Sequence, residues 1–283
     1  MVTVRWAMTV LDDIAGWPVD QAAAGVTDAT ATRAVSGDPD WRVRIASVTK
    51  AMVGFAGLVA VEEGSLRLDQ PAGPPGSTVR HLLAHAAGYP FNGRHTLMLP
   101  GRRRIYSNTG FEVFGEVLAA ATGMSVADYL DAGVFQPLGM TRTELRGSPA
   151  HGAFSTVDDL LRFGRELLSP TLIHEATLTE ATTEQFPGLS GVIPGLGRYD
   201  PNPWGLGFEL KGQKRPHWTA PDGSPRTFGH FGGSGTCLWV DPDAGLACAV
   251  LTNREFGDWA PPLWSALSSG VLAELGSPPP PQP

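Results

Sequence analysis

The sequence predicts an α+β fold: an antiparallel sheet flanked by N- and C-terminal helices, with an all-helical insertion lobe. Three observations predict it. Strand-like runs gather near both ends of the chain, helical patterning fills the middle third, and a wholly apolar helix stands between the first strands and that middle third. The chain has 283 residues, 42% of them hydrophobic and 17% charged. That is enough for a sizeable core and too few charges for a disordered, charge-solvated chain.

Val4 to Ile14 has helical apolar spacing and ends before Trp17-Pro18. Strand-like runs follow at Ala22–Thr27, Thr32–Ser36 and Trp41–Ile45, separated by Asp-rich or Gly-rich turns. The segment SVTKAMVGFAGLVAVEEG is apolar on all sides until Gly64, which predicts a central buried helix. PAGPPGS, from Pro71, is a turn or linker. Short helices then alternate with loops: STVRHLLAHAAG, TGFEVFGEVLAAATG, SVADYL and STVDDLLRFGRELL. From about Trp204 strand signals return at GLGFELKG, RTFGHFGG, GTCLWV and GLACAVLTN, with DPDAG as a hairpin turn. PPLWSALSSGVLAEL predicts a last helix, and SPPPPQP a disordered or polyproline-like tail. The expected division is a sheet lobe from residues 1–70 and 195–275, a helical lobe from 71–194 and a tail at 276–283. A cleft between the lobes is the default site.

The formal net charge is −7, and no basic footprint for a phosphate backbone is visible, so no nucleic-acid partner is expected. No apolar run is long enough to span a bilayer; the nearest, Ala51 to Val61, stops at Glu62-Glu63. The N-terminal apolar stretch is short and interrupted by Asp12-Asp13, unlike a secretory signal. Cys237 and Cys248 are the only cysteines and flank a hairpin. They could form one bridge, but two buried thiols are the simpler expectation. Together these features predict a cytoplasmic globular protein.

Ser47-Val48-Thr49-Lys50 opens the buried helix. Backbone N–H groups at a helix start lack intrahelical partners and can stabilise an oxyanion. Lys50 lies three residues on, on the same face, and helical side chains lean back toward the N-terminus. It is the only charge between Arg44 and Glu62. Burial disfavours a protonated amine, which suits a base that activates a serine. The structural alternative is a capping serine and a lysine that snorkels to water.

Tyr106-Ser107-Asn108 precedes the next long helix. Its hydroxyl could relay a proton and its amide could hold a substrate or the lysine. Equally, Asn108 or Thr109 could cap the helix, with Thr109-x-x-Glu112 as a capping box. His230-Phe231-Gly232-Gly233-Ser234-Gly235 puts glycines within a strand-like region. That suits either close approach of a ligand to the backbone or a bulge. His81 and His85 have i, i+4 spacing without a third ligand, and structural roles are expected rather than zinc.

The order S-x-x-K, Y-x-N, then a basic residue-x-Gly on a late strand resembles the serine β-lactamase and penicillin-binding-protein family. RIASVTKAMVG, STVRHLLAHAAGYP, GRRRIYSNTGFEVFGEVL, GVFQPLGMTRT, AFSTVDDLLRFG, WGLGFEL and FGHFGGSGTCLWVDPDAGLACAVLTN resemble its segments in order, from about Arg44 to Asn253. The likeness is strongest to class C enzymes and related peptidases and esterases, and it implies a β-lactamase/transpeptidase-like fold. It also implies Ser47 as acyl-accepting nucleophile, Lys50 as its base, Tyr106 as a proton-transfer partner and Asn108 as a contact of substrate or Lys50. The N–H groups of Ser47 and Gly233 would form an oxyanion hole, and His230, Phe231 and Gly232 would line the substrate.

The family's usual Lys-Thr-Gly is His230-Phe231-Gly232 here. A titrating imidazole and an apolar ring suit a β-lactam carboxylate less well than lysine and threonine. The expectation is therefore an acyl-enzyme serine hydrolase acting on a small-molecule ester or amide, esters first, without metal or other cofactor. D,D-peptidase, D-aminopeptidase or β-lactamase activity, acyl transfer to another acceptor, and a catalytically silent binding domain remain the alternatives. The oligomeric state is not readable.

Overall fold

A computed structural model describes residues 9–276. The helix expected from Val4 begins outside the described residues; its described part is a 3-10 helix, Val10–Gly16, capped by the Thr9 side chain. The expected tail, apart from Gly276, also lies outside them.

The strands are β1 (Ala22–Thr27), β2 (Thr32–Ser36), β3 (Val43–Arg44), β4 (Arg104–Ile105), β5 (Glu144–Leu145) and β6 (Ala153–Ser155). The later ones are β7 (Gly191–Ile193), β8 (Gly197–Tyr199), β9 (Glu209–Leu210), β10 (Phe228–Gly232), β11 (Thr236–Asp241) and β12 (Leu246–Thr252). The α-helices are α1 (Thr49–Glu62), α2 (Val79–Leu83), α3 (Asn108–Thr122), α4 (Val126–Leu130), α5 (Val157–Leu168), α6 (Glu175–Ala181) and α7 (Ala260–Leu275). None of the described helices is long and apolar enough to cross a membrane.

The main sheet has the order β2-β1-β12-β11-β10-β9 and is antiparallel throughout, so its strands come from both ends of the chain. The run expected at Trp41–Ile45 shrinks to β3, which pairs with β6 outside the main sheet. Along β11 and β12 successive residues enter different cores. Leu238, Val240, Ala247, Ala249 and Leu251 join the cluster built on α1, α3 and α5. Cys237, Trp239, Leu246, Cys248 and Val250 join the cluster with Leu11, Ile14, Trp264 and Val271. A strand alternates its side chains between faces, so covering both faces with helices explains why Cys237–Val240 and Leu246–Leu251 are apolar without a break. The two cysteines share a face but are not opposite each other: Cys237 faces Val250 and Cys248 faces Trp239. Both are free, buried thiols.

Helix α1 is buried at every position from Thr49 to Ala60. It passes Gly207 so closely that a Cβ on Gly54 would lie 3.0 Å from the Gly207 Cα and 3.0 Å from the Leu206 carbonyl oxygen. Helix α5 lies within the stretch expected as a helical lobe, 71–194, yet it packs on the sheet. Val157 and Leu161 cover Gly25, and Gly164 sits against Ala247. Its apolar stripe decides this placement, because a helix docks wherever that stripe finds a matching face.

Candidate active site

Ser47 sits in a 3-10 turn, Ala46–Val48, immediately ahead of α1. Ala46 has φ +44°, the left-handed region, which costs a non-glycine residue about 1–2 kcal/mol. The surrounding hydrogen bonds hold it there. Ser234 Oγ donates to the Arg44 carbonyl (2.7 Å) and Thr236 Oγ1 to the Ile45 carbonyl (2.9 Å). Thr49 Oγ1 donates to the Ala46 carbonyl (2.6 Å) and accepts from the Ala153 N–H (3.0 Å). Turn, hairpin and helix thus lock one another around Ser47. Among the described residues, the backbone N–H groups of Ser47 and Gly233 have no hydrogen-bond partner.

Lys50 is fully buried. Its Nζ lies 3.2 Å from Ser47 Oγ, 2.8 Å from Asn108 Oδ1 and 2.8 Å from the Ala150 carbonyl oxygen. Among the described residues no carboxylate lies within ion-pair distance of it. Burial holds the amine well below its ordinary pKa, with only a partial offset from Glu112. A neutral amine has two N–H donors and one lone pair. The two carbonyl-type oxygens take the donors, and the lone pair is left for the Ser47 hydroxyl proton.

The segment carrying Tyr106 and Asn108 is fixed from both ends. Arg104 is buried and donates to the carbonyls of Ala84 (2.6 Å), Gln185 (2.7 Å) and Asn202 (3.2 Å). Ser107, not Asn108 or Thr109, caps α3, its Oγ accepting from the Gly110 N–H at 3.0 Å. The capping box expected at Thr109 and Glu112 does not form: Glu112 bonds Ser148, and Thr109 Oγ1 accepts from the Gly93 N–H. That frees Asn108 to donate its Nδ2–H to Asn92 Oδ1 (3.2 Å) while its Oδ1 meets Lys50. Burial raises the Tyr106 phenol, partly offset by the nearby Ser47 hydroxyl, so the hydroxyl stays protonated.

Strand β10 presents its residues alternately. His230 is buried, and its Nδ1–H donates to the Phe231 carbonyl at 2.7 Å. That leaves Nε2 to accept from the Tyr106 hydroxyl at 3.5 Å, the outer limit of a hydrogen bond. Burial and then Lys50 push its pKa down to about 3. The titrating imidazole expected at this position is therefore a neutral acceptor. Phe231 points to the other face, packed with Phe256, Trp218 and Trp264. It does not line the Ser47 cavity, contrary to the expectation that it meets the substrate, because period-two alternation cannot send neighbouring side chains to one face. Gly232 is required by close approach: a Cβ there would lie 2.3 Å from the Ile45 carbonyl oxygen. The edge of β10 away from β11 pairs with β9, whose Glu209 has a buried carboxylate that meets Lys214, His217 (2.9 Å) and the Trp218 N–H (3.1 Å).

These residues bring Ser47, Asn108 and Gly233 to one cavity of about 540 Å³. Lys50, Tyr106 and His230 lie behind Ser47, buried. The cavity is also lined by Arg44, Phe91, His151, Asn253 and Glu255, none of which the motifs announce. Arg44 is held by His151, through the backbone carbonyl (3.2 Å) and Nδ1 (3.0 Å). His85 is also a site neighbour that the sequence reading treated only as half of an i, i+4 pair. It lies beyond the end of α2, accepts the Ser107 N–H at 3.1 Å and stacks on Tyr106 at 4.5 Å. Asn92 carries no spacing signal, and the i, i+4 spacing of His85 with His81 does not point to this site, since each reaches it through a loop.

Comparison with known proteins agrees with this architecture. The Beta-lactamase family model matches residues 7–267. A Mycobacterium bovis protein described as a beta-lactamase is 51% identical, with a TM-score of 0.94 over 95% of this chain and 100% of that one. Esterase EstB of Burkholderia gladioli is 24% identical over 89% of this chain and 86% of its own length. A beta-lactamase of Escherichia coli K12 is 23% identical, and the match covers 48% of this chain and only 50% of that protein.

Proposed function

Because the chain belongs to the Beta-lactamase family of serine hydrolases, we propose that it hydrolyses small carboxylic esters through an acyl-enzyme on Ser47. The observation that carries this is the Lys50 amine, buried with no carboxylate partner among the described residues and 3.2 Å from Ser47 Oγ.

In the proposed reaction the Ser47 proton passes to Lys50 Nζ as Oγ attacks the ester carbonyl, forming the C–O bond of a tetrahedral intermediate. Its oxyanion is received by the N–H groups of Ser47 and Gly233, which need no reorganisation. Collapse breaks the bond to the alcohol oxygen, which takes a proton delivered from Lys50 through the Tyr106 hydroxyl. In the resting site neutral His230 accepts that hydroxyl's proton as a hydrogen bond, and the hydroxyl turns to the alcohol oxygen as it leaves. A water then repeats the sequence, returning the acid and free Ser47.

The preference for esters rests on His230. It supplies no permanent charge where Lys-Thr-Gly would supply an ammonium. A second reading, β-lactam hydrolysis, is favoured by the description of the 51% identical relative. The test is the ratio of kcat/KM for p-nitrophenyl butyrate over nitrocefin, with fluorophosphonate labelling read by intact mass. We expect one label per chain, no label on Ser47→Ala, and a ratio above one. Labelling with a ratio below one selects the β-lactam reading, and an unlabelled or fully active Ser47→Ala removes the nucleophile.

A further inference from the structure

We propose that Phe91 is a specificity residue of this same site, receiving on its open ring face an apolar chain of the substrate longer than an acetyl or ethyl group; this rests on the ester reading above. Phe91 is 46% exposed, yet it lines the cavity that contains Ser47 and Asn108. Among the described residues it is the only large aromatic side chain in that lining; the other neighbours are mostly polar.

Exposure here does not reflect a loose loop. The Phe91 carbonyl accepts the Asn108 N–H at 2.8 Å, and the Pro90 carbonyl accepts Ser107 Oγ–H at 2.5 Å. Asn92 Oδ1 accepts from Asn108 and the Gly93 N–H donates to Thr109, so four consecutive residues are tied to the start of α3. The ring itself lies nearly parallel to that of Tyr106, 5.9 Å between centroids and 27° between planes. One face is thus spent on Tyr106 while the rest of the ring remains open. An aromatic surface held in place before binding loses little entropy when an apolar group covers it, and the covered area leaves water. The same loop exposes Leu97 (54%) and Leu99 (66%), and the Leu97 N–H is bonded to the Gly88 carbonyl at 2.9 Å.

The geometry does not favour acyl over alcohol, so two arms separate them. One uses p-nitrophenyl acetate, butyrate and octanoate; the other uses ethyl, butyl and octyl acetate in a pH-stat. In one arm the wild-type kcat/KM should rise with chain length. Phe91→Ser should lower the long-to-short ratio about 10-fold, and Phe91→Leu should restore most of it. The ratio is taken within each variant, so a reduced folded fraction cancels. If Phe91→Ser shifts the ratio less than 2-fold in both arms while wild type turns over the short esters, the inference fails and the ester reading stands. If wild type turns over no ester in either arm, the ester reading fails and takes the inference with it.

Discussion

At the scale of single residues, the site turns on how burial sets protonation. Burial holds the Lys50 pKa well below its ordinary value, with only a partial offset from Glu112, so its neutral form is present below the ordinary lysine range. Activity that depends on that base should rise as pH passes upward through the lowered Lys50 pKa and be complete well below pH 10.5. A kcat/KM profile still rising through pH 10 would contradict the assignment. Lys50→Arg, whose guanidinium stays protonated, should lose about 10²-fold or more in kcat. The Ser47–Lys50 pair was legible because three-residue spacing in a helical turn is a local property. The acceptors that orient Lys50, Asn108 Oδ1 and the Ala150 carbonyl, are 58 and 100 residues away and were not.

At the scale of elements, β10 and the turn carrying Ser47 meet without room for a side chain. Gly232→Ala would drive its Cβ against the Ile45 carbonyl oxygen, 2.3 Å away, and against Thr236 Oγ1 at 2.6 Å. Either β10 or the turn must move, which shifts the Gly233 N–H relative to Ser47. A displacement near 1 Å costs about 10²-fold in rate, so kcat should fall 10- to 100-fold, while overpacking costs about 1–3 kcal/mol in urea unfolding. Gly233→Ala, whose Cβ meets nothing within 4 Å, should lose less of both. A Gly232→Ala enzyme with wild-type kcat would show that this contact does not align the site. Glycines in the motif were visible in the sequence; which one is pressed against a carbonyl was not.

At the scale of the whole molecule, two buried histidines couple stability to pH. His230 is held at about 3, by burial and then Lys50, and His85 well below its ordinary value by burial, with Lys50, His230 and Arg104 adding to it. Glu209 acts against the trend by Coulomb attraction to His230 but does not reverse it. The unfolded chain protonates these imidazoles near pH 6.5, whereas the folded chain does not until much lower pH. Stability is therefore greatest above pH 6.5 and falls as pH drops from 6.5 toward 3, by at most about 1.4 kcal/mol per pH unit for each ring. Melting temperatures between pH 7 and 4 should show this fall, and His230→Gln should flatten it. An equal slope in wild type and His230→Gln would remove His230 from the account.

The sequence alone determined what depends on neighbours along the chain. Strands at both ends, the buried α1, the Ser47–Lys50 juxtaposition and the hairpin between β11 and β12 all follow from local periodicity and turn chemistry. Period-two alternation along β10 was also available to show that His230 and Phe231 face opposite ways. Tertiary structure decided the rest, because it depends on which distant groups meet. It shortened the Trp41–Ile45 run to two paired residues and moved α5 from the expected helical lobe onto the sheet. It also made His230 a neutral acceptor by enclosing it with Tyr106, and brought Phe91 and Asn92 to the cleft on a loop without periodic signal. Desolvation is a property of the folded surroundings, so no spacing of residues could announce the protonation state on which the proposed chemistry rests.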